Sequence, residues 1–474
     1  MSSIDFTSIN SLLTTYLNQS VAALQTPVVT LKNDKASLQT KTSVFTDLET
    51  KLETLKTAAE AMSGIGSSSA FGLKSAVSSD TSVVTCEATA EAVSCSHSVL
   101  VTQLAKAHSV VSNRYDLSGT TLSAGGAGTK NFSIAVGQDT YQVSVTIAAG
   151  DTNQTVLSKI ASAIDQATDG KVAASMVEDT PTTGKLSIRS ASTGTVGKMT
   201  FTDTSGLLGT LGVTNGTQAT NTAGGYIYAD LGNNELDAIA TIDGVQIISS
   251  SNTVDHAVEG LTIHLLSAQK TGADPVGLTI STDSASIKTK IESFLNAFND
   301  AFAYLVDKTK VDTATYTRAV LAGDYPYISL KLNMRSVMSS NVGAPSEMCR
   351  ALSQIGITSD KTGNFSITDD GLLSQAISSK LESVQNLFAS DNGVATKLIS
   401  LLDGYVAANG AISASKTGID SKISFLNKSI EREQKYATAR QKQLQDQYAN
   451  MREALYALQN TFDIQDDFSS IVGI

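Results

Sequence analysis

The sequence of 474 residues has no Trp, only 5% aromatic residues and only 17% charged ones. Small residues, chiefly Ser, Thr, Ala, Asn and Gly, fill the space instead. That composition suits β-rich secreted assemblies better than a compact cytosolic enzyme. Basic charge is also short: 34 Lys and Arg stand against 45 Asp and Glu, a formal charge of −11. No basic stripe offsets it, so the chain repels phosphate backbones and anionic membrane surfaces, and nucleic acid is not an expected partner. No run of 18 apolar residues occurs, so no membrane insertion is expected. The opening MSSIDFTSIN has neither a basic n-region nor an apolar h-region and does not read as a cleaved secretory signal.

Catalytic and metal signatures are equally scarce. The four histidines, His97, His108, His256 and His264, never pair at metal-ligand spacing on a helix, and no CxxC, HExxH or GxSxG occurs. Gly125–Lys130 breaks the order of a phosphate loop, and Asp360–Asp370 lacks the glycine an EF-hand needs at its sixth position. Cys95 and His97 sit two apart on a strand and share a face, but the sequence offers them no two further ligands. The expectation is no catalytic residue, no metal and no cofactor. Three cysteines, Cys86, Cys95 and Cys349, make no disulfide framework. A hairpin turn near Ala90–Glu91 would bring the runs Ser82–Ala88 and Val93–Val101 together, so a Cys86–Cys95 bridge is one expectation and two small buried thiols the other. Cys349 reads as a core residue or a free thiol.

What the sequence does have is helical periodicity at its two ends. Leu17, Leu24, Leu31, Leu38, Phe45 and Leu52 recur every seven residues, with Val21, Val28, Leu48 and Leu55 on the alternate seam. Near the other end Ile423, Ile430, Ala437, Leu444, Met451 and Leu458 do the same, and Tyr448, Leu455 and Phe462 continue the stripe. Charged positions such as Glu431, Arg432, Glu433, Lys435, Arg440 and Lys442 keep the opposite face wet, and Asp446, Glu453 and Asp466–Asp467 add negative charge. Such seams predict coiled coils, with core helices of a globular domain as the plainer alternative. Pro27 predicts two helices or one bent helix. An isolated helix is marginal in water, so the two ends are expected to pack together, within one subunit or across subunits.

Between about Ala70 and Thr282 the period changes to two. Ser75–Ala88, Ser98–Leu104, Asn131–Val136, Tyr141–Ile147, Lys185–Arg189 and Met199–Thr202 alternate as half-buried antiparallel strands. A helix is expected over about Thr152–Ala167, capped by Asp151 or Thr152. Asn113–Gly128 and Thr214–Gly225 read as linkers around an inserted block. Helices return at Ser284, Leu321–Met338, Ala376–Leu387 and Val394–Val406, with a short hairpin about Gly363 and Phe365–Ile367.

The predicted fold class is therefore α+β multidomain: a terminal coiled-coil or helical bundle, made by the N- and C-terminal segments together, carrying antiparallel β domains inserted in the middle. The expected parts are a leg region of 1–40 and 430–474, a helical bundle of 41–72 and 284–429, a β domain of 73–112 and 239–283, and an inserted β domain of 113–238. A chain that goes out and returns in this way would place its β domains at the far end of a stalk.

These residues resemble a known family, flagellar hook-associated protein 2, the filament cap. Val101-Thr102-Gln103-Leu104-Ala105-Lys106-Ala107 is similar to its V-x-Q-L-A-x-A run. Asp243-Gly244, Ser251-Asn252-Thr253 and Gly260–Leu265 are similar to its DG, SNT and GLTL-type runs. Phe294–Asn299 resembles F-x-x-A-Y-N with Phe298 in place of Tyr, and Leu321–Asp324 resembles L-x-G-D. Leu352–Thr358 with Gly363–Ile367 resembles L-x-x-IGI-T and G-x-L-x-I, with Phe365 in place of Leu. Within Asp151–Thr195 the runs NQTVLSKIASAID, GKVAASMV and GKLSIRSASTGT are similar to a short hook-type motif of flagellins and hook-associated proteins.

The resemblance implies a secreted, non-enzymatic subunit that leaves through the flagellar export apparatus. It implies a homo-oligomeric ring, a pentamer or hexamer, at the filament tip, with legs of coiled coil and a plate of β domains beneath which flagellin folds and inserts. Its implied partners are itself, flagellin, an export chaperone and host or surface ligands. A flagellin-like or hook-filament junction subunit, and a tip adhesin acting through Ala70–Thr282, remain open.

Overall fold

The computed structural model describes residues 6–64, 69–232, 234–343 and 348–472, with side chains in the terminal helices described from Ser8 to Thr461. It divides into two compact units. One is helical and comprises the chain up to 64, 69–71 and everything from 284 on; the other is the β unit, 72–283. Sheets with long terminal helices on either side in sequence make the chain an α+β multidomain protein.

The chain opens with α1 (Phe6–Ser63), which passes through Pro27 without interruption. The expected break into two helices does not occur. Proline removes the donor that would meet the Ala23 carbonyl, but Ala23 and Pro27 both face solvent, where water satisfies the freed oxygen. Threonines, poor helix formers, sit in the helix with their hydroxyls turned back onto carbonyls one turn earlier, as in the ladder Thr46 to Thr42, Thr50 to Thr46 and Thr54 to Thr50.

The β unit contains two cores. Three strands come first: β1 (Lys74–Ser78), β2 (Val84–Ala88) and β3 (Ser96–Gln103). The chain then leaves for β4 (Ala107–Val111), β5 (Tyr115–Asp116), α2 (Thr121–Ala124), β6 (Gly128–Val136), β7 (Asp139–Ile147), α3 (Asn153–Thr168), β8 (Val172–Thr180), β9 (Thr183–Thr193), β10 (Met199–Asp203), α4 (Leu207–Leu211) and β11 (Gly225–Tyr228). It returns with β12 (Ala238–Ile242), β13 (Val245–Ser249), β14 (Thr253–Val258), β15 (Leu261–Leu265) and β16 (Val276–Thr282). The outer core lies between a sheet of order β1-β16-β3-β12-β13 and another of order β14-β15-β2, with Val84, Val99, Val101, Ile263 and Leu278 inside. The inserted core is made by β10-β6-β7 and by β11-β4-β9-β5 with β8 also on β9, closed by the apolar face of α3: Val156, Ile160 and Ile164. Thr152 caps α3, accepting the Thr155 N–H as the sequence suggested.

Several expectations change here. The single run Ser75–Ala88 is two strands in different sheets. The insertion begins near Ala107 rather than at 113, because β4 pairs with β9 and β11 and Val110 lies in the inserted core. Neither supposed linker is one: Asn113–Gly128 buries Leu117 and Leu122, and Thr214–Gly225 is a loop that returns to β11 of the same sheet. The Cys86–Cys95 bridge is absent, and all three thiols are free. Cys86 faces Ile263 across the β2–β15 ladder, while Cys95 leads into β3, whose partners are β12 and β16, so no hairpin joins the two cysteines.

The helical unit continues with α5 (Ser284–Thr309), α6 (Tyr325–Met338), the hairpin β17 (Ile357–Ser359) and β18 (Phe365–Ile367), then α7 (Asp370–Ser379), α8 (Leu381–Ala389), α9 (Val394–Val406) and α10 (Ala411–Val472). The predicted helix over Ala376–Leu387 is really the end of α7 and most of α8, parted at Lys380, whose φ of −141° is not helical. Leu321 precedes α6 instead of opening it, because Asp324 and Pro326 set the helix start. The core gathers the α5 stripe Ile287, Ile291, Phe294, Phe298 and Leu305 with Phe45, Leu48, Leu52, Leu55 and Met62 of α1. Aromatic pairs tie it across elements, Phe45 to Tyr327 at 5.0 Å and Phe294 edge-on to Phe388 at 5.9 Å.

Candidate functional site

The terminal helices α1 and α10 pack against each other within one subunit. Lys416 Nζ lies 2.6 Å from Glu49 Oε2, which marks the antiparallel register. Carried along the pair, that register places Val28 level with Ala437, a large residue against a small one, and these are 2% and 1% exposed. One helix row thus finds shelter on the other, as the two sequence seams suggested.

Shelter is uneven along the pair. Phe45 and Leu52 are fully buried against the helical unit, whereas Leu17, Leu24, Leu31 and Leu38 are only half-buried. On α10, Ile430 is buried and Ile423 and Leu444 are half-buried, but Met451 is 44% and Leu458 51% exposed. The stripe buried within one subunit departs from the strict seven-residue series for a geometric reason. A straight α-helix repeats every 3.6 residues, so a heptad series drifts roughly 20° per repeat off the buried face. Tyr448, Leu455 and Gln459 take over the half-buried positions. The side chains of Phe462, Asp466 and Asp467 lie outside the described residues.

The drift leaves an apolar flank in solvent. Phe425 (66% exposed) and Tyr436 (61%) join Met451 and Leu458. At about 100° per residue these four share one sector of α10, beside its buried stripe. Leu12 and Tyr16, one turn apart on α1, are exposed as well. Phe425 and Tyr436 were not among the seam residues read from the sequence. Their signal was there, as isolated aromatics eleven residues apart, a whole number of turns, in an otherwise polar stretch. Charge on the pair is placed for solubility, with Lys435 2.7 Å from Glu431 one turn back and holding that carboxyl below its usual range.

The motif residues noted in the sequence turn out to bind one another. Asn252 of the SNT run takes the N–H of Ala105 at 2.6 Å and donates to the same residue's carbonyl at 3.2 Å. Gln103 donates to the Asp237 carbonyl at 2.6 Å. In the helical unit Asn299 likewise holds both backbone groups of Phe365, each at 2.8 Å, joining α5 to β18. These are structural clamps. The GKVAASMV and GKLSIRSASTGT runs are the β8–β9 hairpin, whose end ties the inserted core to the outer one through Thr193 Oγ1 to Ser250 O, 2.6 Å, and Thr195 N to Asp237 Oδ1, 2.7 Å. Among the described residues no cluster of three or more His, Cys, Asp or Glu could hold a metal ion, and no helix is long and apolar enough to cross a membrane.

Comparison with known proteins agrees with the arrangement. Residues 236–460 match the family model of the flagellar hook-associated protein 2 C-terminus, and residues 11–108 that of its N-terminus. The A-type flagellar hook-associated protein 2 of Pseudomonas aeruginosa is 27% identical over 370 residues, covering 74% of this chain and 73% of the relative. The flagellar hook-associated protein 2 of Escherichia coli K12 is 26% identical over 434 residues, 88% and 87% of the two chains. The D1-D2-D3 domains of the flagellar cap protein FliD from Escherichia coli align with a TM-score of 0.60 at 26% identity, over 80% of this chain and 99% of that one.

Proposed function

Because the chain belongs to the flagellar hook-associated protein 2 family, we propose that it caps the distal tip of the bacterial flagellar filament as a closed ring of identical subunits. The reading rests on the unfinished burial of the helix pair. Two helices shelter one stripe of each other and leave Phe425, Tyr436, Met451 and Leu458 wet. Long helices of neighbouring subunits are the natural cover for such a row, and a cyclic arrangement covers every copy alike. Flagellin entering beneath the ring, and an export chaperone before secretion, would meet the same kind of surface. The role is one of assembly, with subunit turnover and chemistry left to other components.

The test is a double substitution, Met451→Asp with Leu458→Asp, in the full chain. Both residues lie off the intramolecular seam, so the helical circular dichroism should stay as it is while sedimentation velocity shows the rings replaced by single subunits. Burying two carboxylates in an interface costs several kcal/mol, roughly, which is enough to dissolve it. Rings of unchanged size in the variant, or a parent chain that stays monomeric at high concentration, would sink the proposal.

A further inference from the structure

A chemically pointed cluster lies on the surface of the β unit, on the strands that enclose the outer core and away from the helix pair in sequence. The turn joining β12 and β13 is Asp243–Gly244, both with positive φ, 49° and 83°, as a tight two-residue hairpin demands. Asp243 is held to β3 three times: its N–H donates to Ser98 O at 3.0 Å, and its Oδ1 accepts the Ser98 N–H at 2.8 Å and the Ser98 hydroxyl at 3.2 Å. That leaves Oδ2, which takes the Nδ1 of His97 at 2.6 Å. With Nδ1–H given to Asp243, Nε2 carries the free lone pair, and it lies 3.1 Å from Cys95 Sγ. The thiol has one other acceptor, Val93 O, at 3.3 Å. Cys95 itself is fixed by its carbonyl, which accepts the Ile280 N–H at 2.8 Å, yet its side chain is exposed.

The surroundings leave this line of three groups alone. β16, β12 and β13 carry no charged side chain. Lys74 of β1 reaches the neighbouring Ser94 hydroxyl at 3.1 Å, and Glu91 lies in the preceding loop. The other two thiols are different in kind. Cys86 is half-buried and Cys349 buried, and burial pushes both thiols up, towards the protonated and unreactive form. The Asp243 carboxyl is held below its usual range, first by His97 and then by the Ser98 amide, and so stays an acceptor.

We infer that Cys95 is a reactive thiol and a site of modification by small disulfides, with His97 as its proton acceptor and Asp243 as the residue that orients the imidazole. The Cys95 proton passes to His97 Nε2. The thiolate attacks one sulfur of a disulfide RS–SR, forming a Cys95–S–SR bond as the RS–SR bond breaks. The departing thiolate leaves as RSH with the proton returned by His97, so one thiol is consumed and one released, with the disulfide as the sole oxidant. No partner thiol sits on β3 or on the strands paired with it, so the chemistry halts at the mixed disulfide.

The experiment uses the full-length chain with oxidised glutathione and, separately, iodoacetamide, each cysteine followed by peptide mass spectrometry. Cys95 should react first with both, and its alkylation rate should fall less than roughly threefold between about pH 8.5 and about pH 6.5, where a thiol ionising unaided loses roughly fiftyfold. His97→Gln and His97→Asn should each restore the steep profile and slow the reaction near neutrality by roughly tenfold, with the melting curve as the control for folding. Exposure alone would leave fast labelling but the same steep profile in parent and variants, and that outcome overturns the inference. Should neither variant fold, a steep profile in the parent chain overturns it by itself. Equal or faster glutathione capture at Cys86 or Cys349 does the same.

Discussion

The two halves of α1 follow one heptad pattern and meet opposite fates. From Phe45 to Met62 the stripe is fully buried in the helical unit; from Leu17 to Leu38 it is half-buried, with Val28 the exception. The periodicity is the same, so periodicity cannot be what distinguishes a core from an interface. What differs is the number of neighbours a helix has. In the buried half α5 reaches α1 through Tyr304, on Val44 O and Asp47, and α9 reaches it through Asp403, on Lys56, in addition to α10, whose register with α1 carries it along the first half. A seam with a single partner is stable enough to persist and unfinished enough to recruit.

The sharpest way to break this comparison is to truncate one residue from each half. Leu52→Ala should cost the helical unit about 3–4 kcal/mol, since a fully buried leucine leaves a cavity behind. Leu24→Ala should cost about 1 kcal/mol, because half its surface was never removed from water. Denaturant titration of both variants by far-ultraviolet circular dichroism decides the matter. Equal losses would mean that the first half of α1 is as closed as the second.

The β unit is the closed extreme, and Gly194 tests how closed. It has φ +75°, and a Cβ there would overlap the Cα of Ser250 and come 2.6 Å from Asp237 Oδ1. Gly194→Ala should therefore separate the inserted core from the outer one at a cost of roughly 2–3 kcal/mol, from backbone strain and overpacking together. Calorimetry should show the β transition lowered and the helical one unmoved.

Mild acid should separate the two units as well, since all four histidines lie in the β unit. His108 is buried and accepts the Met199 N–H on Nδ1 at 2.9 Å. Burial first, and Lys198 next, lower its pKa from the ordinary 6.5. The unfolded chain then takes up the proton before the folded one, so the stability is complete above about pH 6.5 and drains away as pH falls towards the folded value. The β transition should weaken steadily as pH falls across that window. His108→Asn, whose amide oxygen can stand in for Nδ1, should remove most of this dependence. A β transition with the same acid slope in parent and variant would show that other groups carry it.

Which features were legible in advance follows the same physics. Helix α3, its Thr152 cap, the hairpin at Phe365–Ile367 and the strands β6, β7 and β10 depend on residues close in sequence, and periodicity and capping rules find them. The pairings of β2 with β15 and of β3 with β12 and β16 are set by packing over 130 residues or more of intervening chain, which no local pattern near Cys86 and Cys95 reveals, and Asn113–Gly128 is packed by β9, roughly 70 residues on, and by the burial of Leu117 and Leu122. The helix seams are legible as seams, and the mismatch between a period of seven and a turn of 3.6 residues carries Met451 and Leu458 off the stripe buried within one subunit and onto the exposed flank. The clamps of Asn252 and Asn299 were visible only as family-like motifs. Nothing in their own neighbourhoods says that they hold Ala105 and Phe365.

The smallest expected effect lies where the closed half of α1 meets the open one. Lys416 and Glu49 pair at 2.6 Å, each with about a quarter of its side chain exposed, and they stand near the start of α10, where its long run beside α1 begins. Water screens such a pair and two flexible side chains must be held still, so its coupling should be about 0.5 kcal/mol and should shrink with salt. A double-mutant cycle of Glu49→Gln and Lys416→Met measures it directly. A coupling near that value leaves the apolar stripe, with Val28 against Ala437, as what holds the register. A coupling above about 2 kcal/mol would instead make the ion pair the pin. The half-buried leucines beyond it would then follow the register rather than set it, and their partial exposure would say little about what they are waiting to meet.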